Sequence, residues 1–317
     1  MERLSLAAFW VSLASCGLAT ALAWARLVPW RRAIARTNLA TAGVEVSGGR
    51  AGLAMSATSS SRGRDLAGVL RATVLVALAV SLVARGIAAG RPPLADLWEF
   101  TVAFAAAVTV FQVVFAARTN LVNADVALQP LVLFLLIVAA VLPSRVEPLA
   151  PSLRSNDILV AHVTVMLAAY GALTVSFGAA ILQLWQASAR RLSALPGPQR
   201  FDEIAYRAVV IGFPLLAAGI ALGAYWANTA WGRYWGWDPK ETSALVTWLS
   251  IAAYFHARAG TGSVAGAPGI RRIVPAKIRR GWRPDPMWWL IVMWGLVMFT
   301  YFAVNLWVHG LHSYAGV

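Results

Sequence analysis

The stretch DILVAHVTVMLAAYGALTVSFGAAILQLWQ, residues 157–186, decides the fold, because it stays apolar for longer than a soluble helix requires. It contains one acidic residue, Asp157, one histidine, His162, and no lysine or arginine. At a rise of about 1.5 Å per residue such a helix reaches about 45 Å, and the hydrocarbon core of a bilayer is only about 30 Å thick. The stretch therefore predicts a membrane-spanning helix.

Runs of the same kind recur along the chain of 317 residues, which is 59% hydrophobic and only 13% charged. A search for about 20 mostly apolar residues gives about eight predicted spans. They lie near residues 5–25, 67–89, 96–117, 122–142, 157–186, 208–228, 242–257 and 287–307. A membrane β-barrel would alternate apolar with polar residues, and these runs do not. The sequence predicts an all-α, polytopic membrane helical bundle with about eight transmembrane helices.

The net charge of +14 would suit a nucleic-acid-binding protein, but the predicted topology explains it better. Alternate loops place 20 of the 27 lysines and arginines on one side of the membrane and 7 on the other. By the positive-inside rule the richer side is cytoplasmic. We therefore expect a multi-pass protein of the cytoplasmic membrane, with both termini and the loop at 226–241 on the outer side.

Cys16 is the only cysteine, which excludes an internal disulfide and a cysteine metal site. It ends the stretch LASC, which is similar to a lipoprotein processing site. The apolar run continues past Cys16 to Trp24, however, and is longer than the short core of a signal peptide. This length favours a whole spanning helix over a cleaved signal.

The four histidines lie at two predicted depths. His162, His309 and His312 fall near the outer boundary, whereas His256 falls in the inner half of the membrane. Any of them could be a structural histidine bonded to a neighbouring helix, since polar groups at membrane depth need partners. Alternatively, the imidazoles of His162 and His312 can approach one ligand from opposite sides.

Imidazole binds zinc, copper and iron. Zinc usually takes three or four protein ligands, often with carboxylate or thiolate, whereas here two or three histidines accompany many aromatic residues. Haem would use both features, because its iron takes axial imidazoles and its ring packs against indoles. Its propionates need cations, and the outer-side candidates are Arg145, Arg154, Arg233 and Lys240.

The loop WGRYWGWDPKE, residues 231–241, concentrates aromatic residues just before a predicted helix. An interfacial aromatic belt is the alternative explanation, but a belt needs no fixed spacing. Gly232 and Gly236 would allow tight turns between the rings, and Asp238 could cap the next helix together with Glu241 as a capping box. We expect a rigid aromatic platform attached to a helix.

The longer stretch WANTAWGRYWGWDPKETSALVTWLSIAAYFHAR, residues 226–258, resembles the WWD signature of haem-handling proteins. The flanking pattern resembles the CcsA/ResC family of System II cytochrome c biogenesis, also named CcsB. Further matches are PLADLWEF at 93–100, AHVTVMLAAY at 161–170 and VNLWVHGLHSY at 304–314. The resemblance divides the chain into a first helix with an Arg-rich cytoplasmic loop, 1–66, and a cytochrome c assembly domain, 67–317.

In that family the protein works with a ResB/Ccs1-like membrane protein to carry haem b outward. The complex joins the haem to the CxxCH motif of an apocytochrome c. The resemblance implies that His162 and His312 are the axial ligands of the outer haem, and that His256 helps to hold haem within the membrane. It implies no role for His309 or Arg71.

The same resemblance assigns the WWD platform to Trp231, Trp235, Trp237 and Asp238. It implies a component of a holocytochrome c synthase complex, active with its partner, and no residue is identified as a catalytic acid or base. Thiol-reducing proteins would be further partners.

Three alternatives remain open at this point. One is a System I protein that passes haem to a chaperone. The others are a solute transporter without haem and an electron carrier with permanent haem.

Overall fold

The computed structural model describes residues 1–27, 50–119, 125–146, 157–188, 195–261 and 285–303. These residues form helices and no strands, which confirms the all-α class. The helices are α1 (Glu2–Ala25), α2 (Arg50–Ala89), α3 (Leu97–Thr119), α4 (Asp125–Val141), α5 (Asp157–Ala187), α6 (Pro198–Trp231), α7 (Pro239–Thr261) and α8 (Met287–Met298), which continues into a π-helical turn, Phe299–Ala303.

Five of these segments are long and apolar enough to cross a membrane: α1, α3, α5, α6 and the part of α2 from Leu66 to Ala89. Two others, α4 and α8 with its π-helical turn, are apolar but shorter. Each predicted span coincides with a helix over its described residues. Five apolar helices fit a multi-pass membrane protein, while the count of eight crossings and the side of the termini stay predictions.

The start of α6 differs from its predicted span, because the helix begins ten residues earlier, at Pro198. Gly197 precedes it, and proline is well suited to a first helical position. On the exposed face Glu203 pairs with Arg200 and Arg207 at 3.2 and 2.5 Å. Such pairs support a helix that is not apolar. Hydropathy therefore located only the lipid-compatible part of α6.

The helices pack as two groups of four. In the first group α1 contacts α2 and α4, and α3 contacts α2 and α4. In the second, α5, α6, α7 and α8 each pack against the next, and α8 packs back against α5. Contacts of α5 with α3 and α4 join the groups. The second group carries His162, His256 and the loop at residues 231–241, which we call the tryptophan loop.

Glycines bring α5 and α6 close together. A Cβ atom at Gly212 would lie 2.7 Å from Leu173 Cδ2, and one at Gly219 would lie 2.5 Å from Met166 Sδ. Small residues at helix contacts are the usual means of close packing in membranes, where burial from water contributes little. The backbone of α6 therefore lies directly against side chains of α5, the helix that carries His162.

Two buried ion-pair networks lie near opposite ends of the apolar part of α2, Leu66–Ala89. Arg85 donates to Glu99 at 2.9 Å and to Asp96 at 3.1 Å, and Arg91 donates to Glu99 at 2.7 Å. At the other end Arg71, for which the sequence suggested no role, pairs with the buried Asp125 of α4. Both networks hold the first helices together, and Asp96 extends one of them to the cavity described below.

Cys16 lies in the middle of α1 with its side chain fully buried. Its thiol donates to the side-chain oxygen of Gln129 in α4 at 3.2 Å. The helix continues unbroken to Ala25. The environment of Cys16 is thus a helix contact within the first group.

Candidate functional site

A cavity opens at one end of the second helix group, and this is the end at which the tryptophan loop lies. It encloses about 1250 Å³, including space open to the surroundings. Its walls come from the start of α3, the first turns of α5 and α7, the last turns of α6, the loop and the π-helical turn. Most lining side chains are apolar, and the polar ones include His162, Lys240, Glu241 and Asp96.

His162 is half-buried in this cavity, and its ring is oriented by a neighbouring helix. Nδ1 of His162 donates to the carbonyl oxygen of Gly219 in α6 at 2.7 Å. A carbonyl oxygen can only accept, so this bond places a proton on Nδ1, and in the neutral ring the lone pair then lies on Nε2. Metal-binding histidines generally make such a bond with their other nitrogen. The ring is therefore in the tautomer that a metal ligand requires.

Gly223 leaves the space that the His162 ring occupies. A Cβ atom at this position would lie 2.6 Å from Cε1 and 2.8 Å from Nδ1 of His162. Real Cβ contacts are essentially never that short, so any larger residue would displace the ring. Gly219 and Gly223 are one helical turn apart. Gly219 thus supplies the hydrogen-bond acceptor of the imidazole, and Gly223 leaves the space that the ring occupies.

The tryptophan loop is held by side chains that cap α7, as the sequence predicted. Glu241 Oε2 accepts the backbone N–H groups of Gly236 and Asp238 at 2.8 and 3.1 Å. Asp238 Oδ2 accepts the N–H of Lys240 at 3.1 Å. These bonds satisfy helix-terminal donors and fix the loop to the first turn of α7.

The expectation that both glycines supply tight turns is correct only for Gly232, which ends α6 at a φ of 73°. The second left-handed residue is Trp237, at a φ of 56°, rather than Gly236. A Cβ atom at Gly236 would lie 2.9 Å from Nε of Arg233, an exposed and flexible side chain that can move aside. A bulky residue in the left-handed region costs about 1–3 kcal/mol.

The three loop tryptophans occupy different positions. Trp235 lines the cavity. Trp237 meets Trp235 edge-on at 5.7 Å between ring centroids and is 69% exposed. Trp231 packs edge-on against Trp226 at 4.8 Å, and it is the buried Trp226 that lines the cavity. The sequence did not single out Trp226, because an aromatic residue on a helix has no local signal that separates lining from packing.

Lys240 brings a cation to the cavity. It stands in the first turn of α7, before the predicted span 242–257, and lines the same space as His162. Burial lowers the pKa of Lys240 to about 8, and the nearby carboxylate of Asp238 opposes this shift. The side chain is therefore still mostly protonated at neutral pH. Arg233, the other proposed cation of the loop, is exposed next to Gly236.

His256 lies near the far end of α7 and does not line the cavity. Its side chain is exposed, and its Nδ1 donates to the carbonyl oxygen of Ala252 in its own helix at 2.9 Å. Helical periodicity places it on the face that also carries the exposed Val246 and Leu249. The structure therefore does not bring His256 and His162 together.

His309 and His312 lie outside the described residues, which end at Ala303. Tyr301, two residues before that point, lines the cavity, and its hydroxyl is 2.9 Å from that of Thr101 in α3. Thr101 already donates to Leu97, so Tyr301 is the donor in this pair. Like Trp226, Tyr301 and Thr101 were not identified from the sequence.

Comparison with known proteins assigns the family. The family described as "Cytochrome C assembly protein" matches residues 94–312. The CcsA protein of Guillardia theta is 31% identical over 271 residues, which cover 76% of this chain and 83% of the relative. The CcsA protein of Synechococcus sp. strain CC9311 is 33% identical over 304 residues, covering 83% of this chain and 92% of the relative.

Among solved structures, one named Cytochrome c Heme Lyase CcmF superposes with a TM-score of 0.63. The superposition covers 95% of this chain but only 46% of the other, at 18% identity, so it shows a shared fold. The family match and the CcsA relatives rest on sequence instead. The chain therefore belongs to the cytochrome c assembly protein family, and the predicted CcsA/ResC relationship is confirmed.

Proposed function

We propose that this chain acts in cytochrome c maturation by binding haem b as a substrate in the cavity and presenting it at the outer membrane face. There the haem would be attached to apocytochrome c, within a complex that includes a ResB-like membrane protein. One observation carries the proposal. His162 stands in the cavity with Nδ1 bonded to the carbonyl oxygen of Gly219, which is the kind of bond that orients metal-binding histidines.

The lining of the cavity suits haem. Leu159, Val163, Met166 and Ile220 supply apolar surface, and Trp235 supplies an aromatic face. Lys240 offers a cation for a propionate, as ligand pockets commonly combine apolar walls with a few polar groups. Haem, when bound, would supply the vinyl groups and the iron. The residues of the chain would supply orientation and exclusion of water.

The individual roles follow from the positions. His162 would hold the iron from α5, and His312 would provide the second axial imidazole. Trp235 would contact the ring from the loop, supported edge-on by Trp237. Asp238 would act through the structure of the loop, because its carboxylate caps α7.

His256 would serve a separate step. Its side chain is exposed on the surface of α7, so a haem bound there would lie between this chain and a partner. Such a site requires a ligand from the second protein. By the positive-inside rule, this site would lie towards the cytoplasm and the cavity towards the outer face.

The proposal is tested by co-expressing the chain with a ResB-like protein and a reporter cytochrome c in a strain that lacks its own assembly system. The purified wild-type complex should show a bis-histidine haem spectrum. His162→Ala should lose that spectrum and the reporter yield, and added imidazole should restore the spectrum because it replaces the missing ligand. A His162→Ala complex with unchanged spectrum and unchanged yield would refute the assignment.

A further inference from the structure

Each helix of the second group contributes one aromatic ring to a layer beyond the cavity, which we call the aromatic layer. Phe177 of α5 stacks on Trp294 of α8, with centroids 4.1 Å apart and planes 6° apart. Phe213 of α6 stacks on Trp248 of α7, at 4.8 Å and 12°. Two nearly parallel stacks thus occupy the four-helix group.

The four rings lie at a similar level, just past the cavity. On each helix the ring is about four to seven residues beyond the last cavity-lining residue, which corresponds to about 6–10 Å at helical rise. Those last lining residues are Tyr170, Ile220, Ala244 and Thr300. Because α5, α6, α7 and α8 pack in a ring, the aromatic layer separates the cavity from the opposite end of this group.

Both tryptophans of the aromatic layer carry a donor without an acceptor. Nε1 of Trp248 and Nε1 of Trp294 are buried, and neither has a hydrogen-bond partner among the described residues. Buried polar groups are normally paired, since an unmet donor costs free energy. Phenylalanine would stack equally well without this cost, as Phe177 and Phe213 do. The two indoles therefore carry hydrogen-bond donors that the packing of the described residues does not use.

The seam between α6 and α7 connects the aromatic layer to the surface that carries His256. These two helices pack less extensively than α5 and α6, and the Phe213–Trp248 stack bridges them at mid-length. Nearer the far end Arg258 pairs with Asp202 and lies over the ring of Tyr206. Opening this seam would require the Phe213–Trp248 stack to part, which would uncover Trp248.

We propose that the aromatic layer is a transit site, in which the N–H groups of Trp248 and Trp294 receive acceptor oxygens of haem on its way from the far end to the cavity. This inference rests on the proposed function. Haem matches the aromatic layer in two respects, because its flat ring can stack on the aromatic faces and its carboxylates can accept from the indoles. A water molecule could accept from the indole N–H groups, but it would not stack on the aromatic faces.

The test removes the N–H groups and keeps the rings, with Trp248→Phe, Trp294→Phe and the double variant in the full complex. Haem occupancy after isolation from cells should fall about tenfold for the double variant, because loading from inside loses both donors. Binding of haem added to the purified, haem-depleted complex should be unchanged, because that haem reaches the cavity directly. Thermal stability should be unchanged or higher. Trp288→Phe, at an exposed position of α8, should match the wild type in all three measurements.

The outcomes separate the two proposals. Wild-type occupancy in the double variant would overturn the transit site and leave the cavity assignment intact. Equal loss of both loading routes together with lower thermal stability would show a packing role, and would also overturn it. A wild-type complex that binds no haem by either route would instead refute the proposed function itself.

Discussion

His162 and His256 make the same kind of hydrogen bond in two different settings. In both, Nδ1 donates to a backbone carbonyl, so the lone pair belongs to Nε2. The acceptor of His162 lies on another helix, whereas that of His256 lies one turn back on its own helix. The first ring is therefore fixed within a cavity of this chain, and the second is presented on the surface of α7.

Under the proposed function, this difference indicates how haem binding would be divided between the chain and a partner protein. A cavity with its own oriented imidazole can bind a ligand largely by itself, whereas an exposed imidazole needs a second surface to enclose the ligand. Most of the predictions that follow change one histidine environment and leave the other intact.

The largest effect is expected from the histidines themselves. In the purified complex, His162→Ala should lower the affinity for added haem about 100-fold, because the proposed iron ligand is lost. His256→Ala should leave that affinity unchanged and reduce only the occupancy found after isolation from cells. Spectroscopic titration of both variants measures the contrast. Equal losses of added-haem affinity would break the distinction between the two sites.

Gly223→Ala should have the next largest effect. The new Cβ would lie 2.6 Å from Cε1 of His162, so the ring must turn away from Gly219 and lose its orientation. We expect about a tenfold loss of haem affinity and a changed axial-ligand spectrum, with the helix intact.

Gly295→Ala is the matched control for this prediction. Gly295 is also helical, and a Cβ atom there would have nothing within 4 Å. This variant should titrate like the wild type. Normal haem binding by the Gly223→Ala variant would show that the ring position does not matter.

Glu241→Gln should weaken the loop more mildly. The amide still accepts, but it loses the charge that strengthens the bonds from Gly236 and Asp238. Haem affinity should fall a few-fold, and fluorescence of the loop tryptophans should report a more mobile loop. Glu203→Gln, on the exposed face of α6, provides the control.

The smallest effect concerns pH. Because the pKa of Lys240 is lowered to about 8, its ammonium is present below that pH and is lost as the pH rises through it. Attraction for a propionate should therefore be nearly complete at pH 7 and decline as the pH rises through about 8. Haem affinity measured from pH 7 to pH 9.5 should fall for the wild type and stay level for Lys240→Arg. Identical curves would remove Lys240 from ligand binding.

The sequence predicted the helices well, because lipid demands long apolar runs and these are visible residue by residue. The amphipathic start of α6 was missed for the same reason, since Arg200, Glu203 and Arg207 are unsuited to lipid but suited to a helix. The cap formed by Asp238 and Glu241 was predictable because its geometry depends on residues only three positions apart.

Features that depend on contacts between distant segments could not be predicted. Nothing local to His162 indicates that Gly219 will orient it, and nothing local to His256 indicates which side of α7 is exposed. The stacks of Trp248 and Trp294 likewise depend on how α5 to α8 assemble. The sequence suggested tight turns at Gly232 and Gly236, whereas the left-handed residues are Gly232 and Trp237, because nothing in the composition favours that conformation for a tryptophan.

The left-handed backbone of Trp237 lowers the stability of the loop, whereas its side chain belongs to the proposed haem-binding platform. Selection for a robust loop alone would favour glycine at this position, since glycine adopts a φ of 56° without penalty. A largely exposed tryptophan at this position strains the backbone of the loop. Substitution by glycine would relieve that strain. We expect the Trp237→Gly variant to have a higher thermal stability and to give a lower yield of the reporter cytochrome c.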